Sequence, residues 1–360
     1  MDHPETMKAM VTVGHGGLDR IVWHDDWPCP RPGPGEVLVK VGACGLNNTD
    51  VNTRVGWYSK AVSAETRGDG FEVEGEDDPS WGGAPIAFPR IQGADACGTI
   101  VEVGDGVEPA RIGERIITDN WLRDPEAPEE KTRVGYFGSE RNGGFAEYTT
   151  LPSVNALTIR SQLSDAELAT FSCSYSTALG MLHRAGVTAS DTVLIPGASG
   201  GVGGALVQLA RERGARVIAM ASEAKHEAVR ALGADRLLPR APDDLAAALS
   251  DEKITVVADV VGGGGWPALI EVLERGGRYT CSGAIAGPIV EFDLRTFYLN
   301  DLTFTGSTVI DPEVMTELVR LIEGGKVRPA LAASYPLSDL HAAQTAFIAK
   351  EHTGNIVVVP

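Results

Sequence analysis

The spacing of apolar and polar residues differs between two parts of the chain. In the first third, short apolar runs are separated by turns and loops, and residues 28–34 form a proline-rich turn. The runs that predict strands are residues 8–13, 36–41, 100–104, 115–117 and 145–148. Short strands with little helix between them are typical of an antiparallel, barrel-like domain.

The spacing of apolar residues changes near residue 155. From Ser164 onward, helical patterns alternate with apolar runs, which predict parallel strands of a doubly wound sheet at residues 191–195, 216–220, 256–261 and 278–282. After Gly306 the pattern is mixed, with a helix around 312–322 and a last strand at 355–359. We therefore predict an α/β fold of two domains. The doubly wound domain covers residues 156–305, and the mainly antiparallel domain combines residues 1–155 and 306–360.

The turn after the run 191–195 carries the clearest chemical signal. It reads Gly197-x-x-Gly200-x-x-Gly203, with Gly201 added, and then passes into a helical pattern. Amides at a helix start and the positive end of its dipole favour an anion, and glycines let a diphosphate approach closely. Because a second buried strand follows, the whole unit predicts a dinucleotide site. Close packing of the helix on the sheet without a ligand is the alternative.

Composition and charge narrow the class of protein. The chain has 360 residues, enough for two domains, and its formal net charge of −18 argues against a nucleic-acid partner. Its apolar runs stay below the roughly 20 residues that span a bilayer, and its first residues lack a secretory signal pattern. We therefore expect a cytoplasmic protein without a membrane partner, whose five scattered cysteines are reduced.

Several motifs, taken in order, give a family resemblance. They are the turn Pro32-Gly33-Pro34-Gly35-Glu36-Val37, Gly45-Leu46-Asn47-Asn48-Thr49-Asp50, Gly143-Gly144-Phe145-Ala146-Glu147-Tyr148, the segment 185–203, and Asp259-Val260-Val261-Gly262-Gly263. With them the chain resembles the medium-chain dehydrogenase/reductase superfamily over nearly its whole length, and within it the zinc-free quinone oxidoreductase group. The resemblance implies a Rossmann coenzyme domain beside a barrel-like, GroES-like catalytic domain.

The positions of the metal ligands in zinc-dependent relatives are altered here. Those relatives have a Cys and often a His where this chain has Asn47 and Asn48, and a His-Glu pair where it has Ala94 and Asp95. Zinc requires thiolate, imidazole or carboxylate donors in a tetrahedral arrangement. Residues 119–144 also lack the cysteines of a structural zinc site. We therefore predict no metal site.

The resemblance also implies which residues hold the coenzyme. They are Thr177 beside the nicotinamide, and then Gly197, Ser199, Gly200, Gly201, Val202, Gly203, Ser222, Lys225 and Val261. NAD-specific folds place an acid near the end of the second strand, whereas this chain has Ala221 or Ser222 there. Since Lys225 could meet a 2′-phosphate, we predict NADP(H). Glu223 would restore a preference for NAD if its carboxylate pointed inward.

By the same resemblance, four residues border the substrate pocket and are the candidates for catalysis: Asn47, Asp50, Arg54 and Tyr58. A structural ion pair is the alternative for Asp50 and Arg54. Asn52 stands where the family often has a tyrosine.

The predicted reaction follows from the missing metal ligands. Without zinc, simple alcohol oxidation loses its Lewis acid, whereas a conjugated acceptor spreads the incoming charge over its own oxygen. We predict NADPH-dependent hydride transfer to quinones or α,β-unsaturated carbonyl compounds. The alternatives are a zinc-independent alcohol dehydrogenase, with a proton relayed through Thr49 or Asp50, and a non-catalytic NADPH-binding protein.

Two surface features concern partners. The strand pattern at residues 304–307 could pair with a second copy, so we expect a homodimer or homotetramer that acts on a small molecule. We interpret the acidic segment at residues 64–89 as a solvated loop, with a lid or an assembly arm as the alternative.

Overall fold

The computed structural model describes residues 3–63, 65–66 and 85–360. Most of the predicted acidic loop, residues 64 and 67–84, lies outside the described residues.

Short strands connected by turns build the first part of the chain. Five of the nine strands in the described residues of this part form one antiparallel sheet, whose long central strand has eight paired residues in one neighbour and five in another. The other four form two separate two-stranded sheets. The strands are β1 (Thr6–Thr12), β2 (Ile21–Pro28), β3 (Glu36–Gly45), β4 (Asp95–Val103), β5 (Arg115–Thr118), β6 (Trp121–Arg123), β7 (Val134–Tyr136), β8 (Tyr148–Pro152) and β9 (Ala156–Thr158).

A second sheet contains six parallel strands. Its strands are β10 (Thr192–Ile195), β11 (Arg216–Ala221), β12 (Arg236–Pro239), β13 (Ile254–Asp259), β14 (Leu273–Cys281) and β15 (Thr303–Gly306). Their order in space is β12-β11-β10-β13-β14-β15. The chain therefore runs outward from β10 to one edge and then returns to the other, which defines a doubly wound sheet. Ligands of such sheets bind at the carboxyl ends of the strands where the direction changes.

The last two strands return to the first sheet. They are β16 (Leu331–Pro336) and β17 (Asn355–Val359). Strand β17 pairs antiparallel with the end of β3, and β16 pairs parallel with β17. The resulting seven-stranded sheet has the order β16-β17-β3-β4-β5-β9, with β8 also paired to β3. The predicted fold class, a doubly wound parallel sheet beside a mainly antiparallel barrel-like sheet, is confirmed.

Helices cover the parallel sheet and join it to the first. They are α1 (Asn48–Val55), α2 (Asp165–Leu168), α3 (Ser172–Arg184), α4 (Gly201–Glu212), α5 (His226–Ala231), α6 (Leu245–Ala248), α7 (Trp266–Glu271), α8 (Leu294–Leu299), α9 (Pro312–Glu323) and α10 (Leu340–Ala349). Helix α3 is almost wholly buried because α4 and α9 pack against it and residues of β4 and β5 share the same core. In the described part of the chain, no helix has both the length and the apolar character needed to cross a membrane.

One predicted strand is misplaced. Residues 145–148 read as a strand, but the strand begins at Tyr148 and runs to Pro152. The amides of Gly144 and Phe145 instead donate to the carbonyls of Gly93 and Gln92. The segment before β8 is therefore bonded mainly to the loop ahead of β4 and to β1, and its bond to β3 runs from the Val41 N–H to the Glu147 carbonyl.

Candidate active site

The glycine-rich turn joins β10 to α4 in a conformation that depends on glycine. Gly197 has a φ of 65°, and a Cβ on Gly203 would lie 2.2 Å from the Gly197 carbonyl oxygen. Gly200 is the N-cap of α4, and no side chain caps the helix. The first amides of α4 are thus left for an anion, with the positive end of the helix dipole behind them. This cradle fits a dinucleotide diphosphate and contains all six predicted turn residues, namely Gly197, Ser199, Gly200, Gly201, Val202 and Gly203.

Val261 lies in a second turn, at the carboxyl end of β13. A Cβ on Gly197 would come within 2.8 Å of Val261 Cγ2, so the two turns are adjacent. Buried Asp259 accepts hydrogen bonds from the N–H groups of Val261 at 2.6 Å and Gly262 at 3.1 Å, and from the Tyr279 hydroxyl at 2.9 Å. Burial raises the pKa of this carboxyl group. Asp259 therefore fixes the second turn beside the first.

Thr177 lies on the face of α3 that approaches the glycine-rich turn. Its neighbours along the helix are buried, whereas Thr177 is partly exposed. One turn earlier, Ser174 Oγ would lie 2.6 Å from a Cβ placed on Gly201. Residues three apart share a helix face. Thr177 therefore lies on the face of α3 that is directed toward the start of α4.

Ser222 and Lys225 follow the carboxyl end of β11, where the sequence predicts the adenosine end of the coenzyme. Ser222 is exposed and precedes a short 3₁₀ helix. The Lys225 ammonium donates to the carbonyls of Lys350 and His352, both at 2.7 Å. These are its two acceptors within the described residues, so one of its three N–H groups is left for a ligand. Glu223 is exposed to solvent.

Asn47 and Asp50 form the start of α1. The Asp50 carboxylate accepts from the N–H groups of Asn47 at 2.8 Å and Gly93 at 3.1 Å. Burial raises the pKa of Asp50 to about 7. Asn47 Nδ2 donates to Asp95 Oδ2 at 2.8 Å, and Asn47 Oδ1 lies 3.3 Å from Ser174 Oγ. The start of α1 is therefore fixed to both β4 and α3.

Arg54 and Tyr58 lie farther along the same segment. The Arg54 guanidinium is buried and donates to the Gly16 carbonyl and to Gln344 Oε1 of α10. Burial lowers the pKa of Arg54 to about 10. Asp50 and Arg54 thus have separate partners, and no ion pair joins them in the described structure. Tyr58 is half-buried, with its ring centroid 5.5 Å from that of Trp57.

The residues at the zinc-ligand positions do not fit a zinc ion. Within the described residues, no group of three or more His, Cys, Asp or Glu side chains could hold a metal. Asp95 accepts hydrogen bonds from Asn47 Nδ2, from Asn120 Nδ2 at 3.2 Å and from the Cys173 N–H at 2.6 Å. Burial raises its pKa to about 6. A carboxylate occupied by amide donors and flanked by carboxamides lacks the donor set that zinc requires.

The sequence did not predict that residues near the C-terminus contact the glycine-rich turn, α3 and α1. The Gly354 N–H donates to the Ser199 carbonyl at 3.0 Å. Asn355 Oδ1 lies 3.0 Å from Ser174 Oγ, and the Lys350 ammonium donates to Asn48 Oδ1 at 2.8 Å. The one local signal is Gly354 itself, whose φ of 90° and close approach to Ala330 exclude a side chain.

Comparisons with known proteins agree with both domains. The alcohol dehydrogenase GroES-like domain matches residues 33–161, and the zinc-binding dehydrogenase domain matches residues 201–324. The structure of a provisionally named alcohol dehydrogenase from Sinorhizobium meliloti 1021 is 46% identical, with a TM-score of 0.89 over 99% of this chain and 98% of that chain.

Two named relatives are more distant in sequence but also align over most of both chains. Acryloyl-coenzyme A reductase of Metallosphaera sedula is 26% identical over 98% of this chain and 99% of its own. The chloroplastic NADPH-dependent alkenal/one oxidoreductase of Arabidopsis thaliana is 26% identical over 99% of this chain and 80% of its own. Likeness of this extent across both domains shows that the chain belongs to the medium-chain dehydrogenase/reductase superfamily and is an oxidoreductase.

Proposed function

We propose that the chain reduces α,β-unsaturated carbonyl compounds or quinones with NADPH, without a metal ion, as in the zinc-free quinone oxidoreductase group. The observation that carries the proposal is the set of groups around Asn47. Carboxamides replace the metal ligands of zinc-dependent relatives, and the Asp95 carboxylate already accepts three N–H groups. An acceptor bound here is polarised by hydrogen bonds alone, which suits one that delocalises its own developing charge.

Different residues of this chain bind the coenzyme and contact the acceptor. The nicotinamide coenzyme supplies the hydride. The amide cradle at the start of α4 binds its diphosphate, and the Val261 turn packs beside that cradle. Thr177 borders the ring, while Asn48 and Thr49, both partly exposed at the start of α1, offer a carboxamide and a hydroxyl to the acceptor oxygen. Fixed orientation of the two reactants supplies much of the acceleration.

The charges near β11 support NADPH over NADH. Neither Ala221 nor Ser222 is acidic, and Lys225 has one N–H group left. Arg240 follows β12, whose Pro239 pairs with Ala221, and its positive charge acts on Lys225. A 2′-phosphate would therefore meet two cations, with solvated Glu223 and the Glu351 carboxylate as the acidic groups near Lys225.

The named activities of the relatives support the acceptor class. Acryloyl-coenzyme A and alkenals both contain a carbon–carbon double bond conjugated to a carbonyl group. Hydride transfer to the β-carbon moves an electron pair onto the carbonyl oxygen, and a proton then completes the saturated product. The rest of each molecule differs, so the shared element is the conjugated acceptor.

Steady-state assays test the proposal directly. An enone, a 1,4-quinone and a secondary alcohol are compared, with NADPH or NADH for reduction and NADP⁺ or NAD⁺ for oxidation, each with and without a chelator. We expect reduction of the conjugated acceptors, preferentially with NADPH, at a rate that the chelator leaves unchanged. Alcohol oxidation that the chelator abolishes would contradict the proposal. Tight coenzyme binding without turnover of either conjugated acceptor would also contradict it, because the acceptor would then belong to another class.

A further inference from the structure

The Lys350 loop, residues 350–354, lies where three parts of the proposed coenzyme site meet. Gly354 forms a β-bridge with Gly200 of the glycine-rich turn. The carbonyls of Lys350 and His352 accept the Lys225 ammonium, which lies after β11. The Lys350 side chain reaches Asn48 at the start of α1. One short loop is therefore in contact with the diphosphate cradle, the adenosine end and the substrate side.

Lys350 carries a charge that has no counter-ion in the described structure. Its ammonium donates to Asn48 Oδ1 at 2.8 Å and lies 3.5 Å from the centroid of the Phe347 ring. The charge that acts on it is the Lys225 ammonium, which has the same sign. Lys350 also has a φ of 55°, a conformation that a non-glycine residue adopts at some cost. A desolvated cation among neutral and like-charged partners is unfavourable unless an anion completes the site.

Two other groups near this loop have unused hydrogen-bonding capacity within the described residues. His352 Nδ1 is buried, and the described residues offer it no hydrogen-bond partner. Lys225 keeps one N–H group after donating to the two loop carbonyls. Burial, together with the neighbouring lysine charge, lowers the pKa of Lys350 to about 7 and that of His352 to about 4. Burial and the neighbouring positive charge thus disfavour the charged forms of both groups, and an anion close to them would act in the opposite direction.

We propose that Lys350 binds a phosphate of the coenzyme and that the same side chain orients Asn48 toward the substrate. The proposal rests on the proposed nicotinamide coenzyme but not on the identity of the acceptor. A dinucleotide phosphate fits because the bridge from Gly354 to Gly200 sets the loop beside the uncapped start of α4. The diphosphate and a 2′-phosphate offer the same anionic oxygens, and the experiment below distinguishes them.

The orientation of Asn48 follows from hydrogen-bond chemistry. A lysine ammonium can only donate, so it must face the Oδ1 atom of the carboxamide. The Nδ2 group of Asn48 is then turned away from Lys350 and, with no acceptor among the described residues, is available as a donor. Coenzyme binding and the polar lining of the substrate pocket therefore share one residue, which acts on the acceptor as a positioning residue.

Binding measurements on Lys350→Met and Lys350→Arg test the phosphate contact. Lys253→Met is the matched control, because Lys253 lies on an exposed loop at the amino end of β13, away from the coenzyme site. We expect Lys350→Met to weaken binding by about tenfold or more, as the loss of a charge-assisted hydrogen bond implies, and Lys350→Arg to retain most of the affinity. Weakening of both NADH and NADPH would assign the diphosphate. Weakening of NADPH alone would assign the 2′-phosphate.

Proton uptake gives a readout that a merely structural lysine would not change. Because phosphate favours the charged ammonium, the wild type should take up nearly one proton per site when NADH binds at about pH 8, above the lowered pKa of Lys350. Calorimetry in two buffers of different ionisation enthalpy measures this uptake. Lys225, Arg240, Glu351 and His352 also lie around the site and remain in both variants. The uptake lost in Lys350→Met and Lys350→Arg therefore belongs to Lys350, and NADH avoids the titration of a 2′-phosphate.

The outcomes separate this proposal from the proposed function. Unchanged affinity of Lys350→Met for both coenzymes, or equal proton uptake in the wild type and Lys350→Arg, would overturn it. Loss of coenzyme binding in Lys350→Met together with failure of the wild type to reduce any conjugated acceptor would refute the proposed function alone. A raised KM for the acceptor in Asn48→Ala, with coenzyme affinity retained, is the expected sign of the shared residue.

Discussion

Asp95 shows how a single buried carboxylate can organise a site. Its three donors come from different parts of the fold, namely Asn47 before α1, Asn120 between β5 and β6, and the backbone of Cys173 in α3. Asn120 Nδ2 in turn lies 3.2 Å from the Tyr136 hydroxyl. Because each donor is itself fixed, the carboxylate sets the position of Asn47 at the start of α1. The cost of burying it appears in its pKa, which is raised to about 6.

The raised pKa of Asp95 predicts how stability depends on pH. Its ordinary value is 3.8, so the folded protein holds this proton more tightly than the unfolded chain does, and the resulting stabilisation is lost as the pH rises through about 6. We expect the wild type to lose about 1 to 2 kcal/mol more unfolding free energy between pH 5 and pH 8 than Asp95→Asn, which cannot titrate. Urea unfolding at several pH values measures the difference. Asp105→Asn, in an exposed turn, should follow the wild type, and a pH slope of Asp95→Asn equal to that of the wild type would contradict the assignment.

At the scale of elements, two glycines of the turn between β10 and α4 are required for different physical reasons. Gly200 has a φ of −80°, which any residue adopts, and the nearest atom to an added Cβ is the Gly197 carbonyl oxygen at 3.6 Å. Gly203 would place a Cβ 2.2 Å from the same oxygen. Packing of the helix on the strand therefore requires Gly203, whereas only a ligand would require Gly200.

Two alanine variants of this turn separate packing from binding. We expect Gly203→Ala to destabilise the protein by about 1 to 3 kcal/mol, because backbone must move to admit the methyl group. Gly200→Ala should cost at most about 1 kcal/mol as a poorer N-cap, yet weaken coenzyme binding, because its methyl group occupies the approach of the diphosphate. Denaturant unfolding and coenzyme titration measure the two effects. Wild-type affinity of Gly200→Ala would show that the diphosphate binds elsewhere.

The elements that could be predicted are those marked by a local pattern in the sequence. Strands such as β10 and β11 are buried on both faces, so continuous apolar runs mark them, and the glycines of the turn are forced by backbone geometry next to them in sequence. The partners of Lys225 could not be read in this way. Its ammonium binds carbonyls 125 and 127 residues later, in a loop that reaches it only because β17 rejoins β3. The same return of the chain brings Asn355 to Ser174.

At the scale of the whole molecule, the parallel sheet ends in an edge with no partner. In the described residues β15 pairs with β14 on one side and with no strand on the other. Helix α8, which precedes this edge, exposes Leu294 and Leu299 at 66% and 55%. An unpaired edge beside exposed apolar side chains is a common surface for association of identical chains. The sheet edge therefore supports the homodimer or homotetramer expected from the sequence.

Charged substitutions on α8 test this assembly. We expect the wild type to have two or four times the 38.0 kDa mass of one chain in solution, and Leu294→Lys combined with Leu299→Lys to shift it toward the single-chain mass. Two like charges brought to a shared surface repel and lose apolar burial, while an exposed helix face tolerates them in the isolated chain. Light scattering after size-exclusion chromatography gives the mass. Val154→Lys, at a site 81% exposed in the first domain, is the control, and a double variant that retains the wild-type mass would place the interface on another surface.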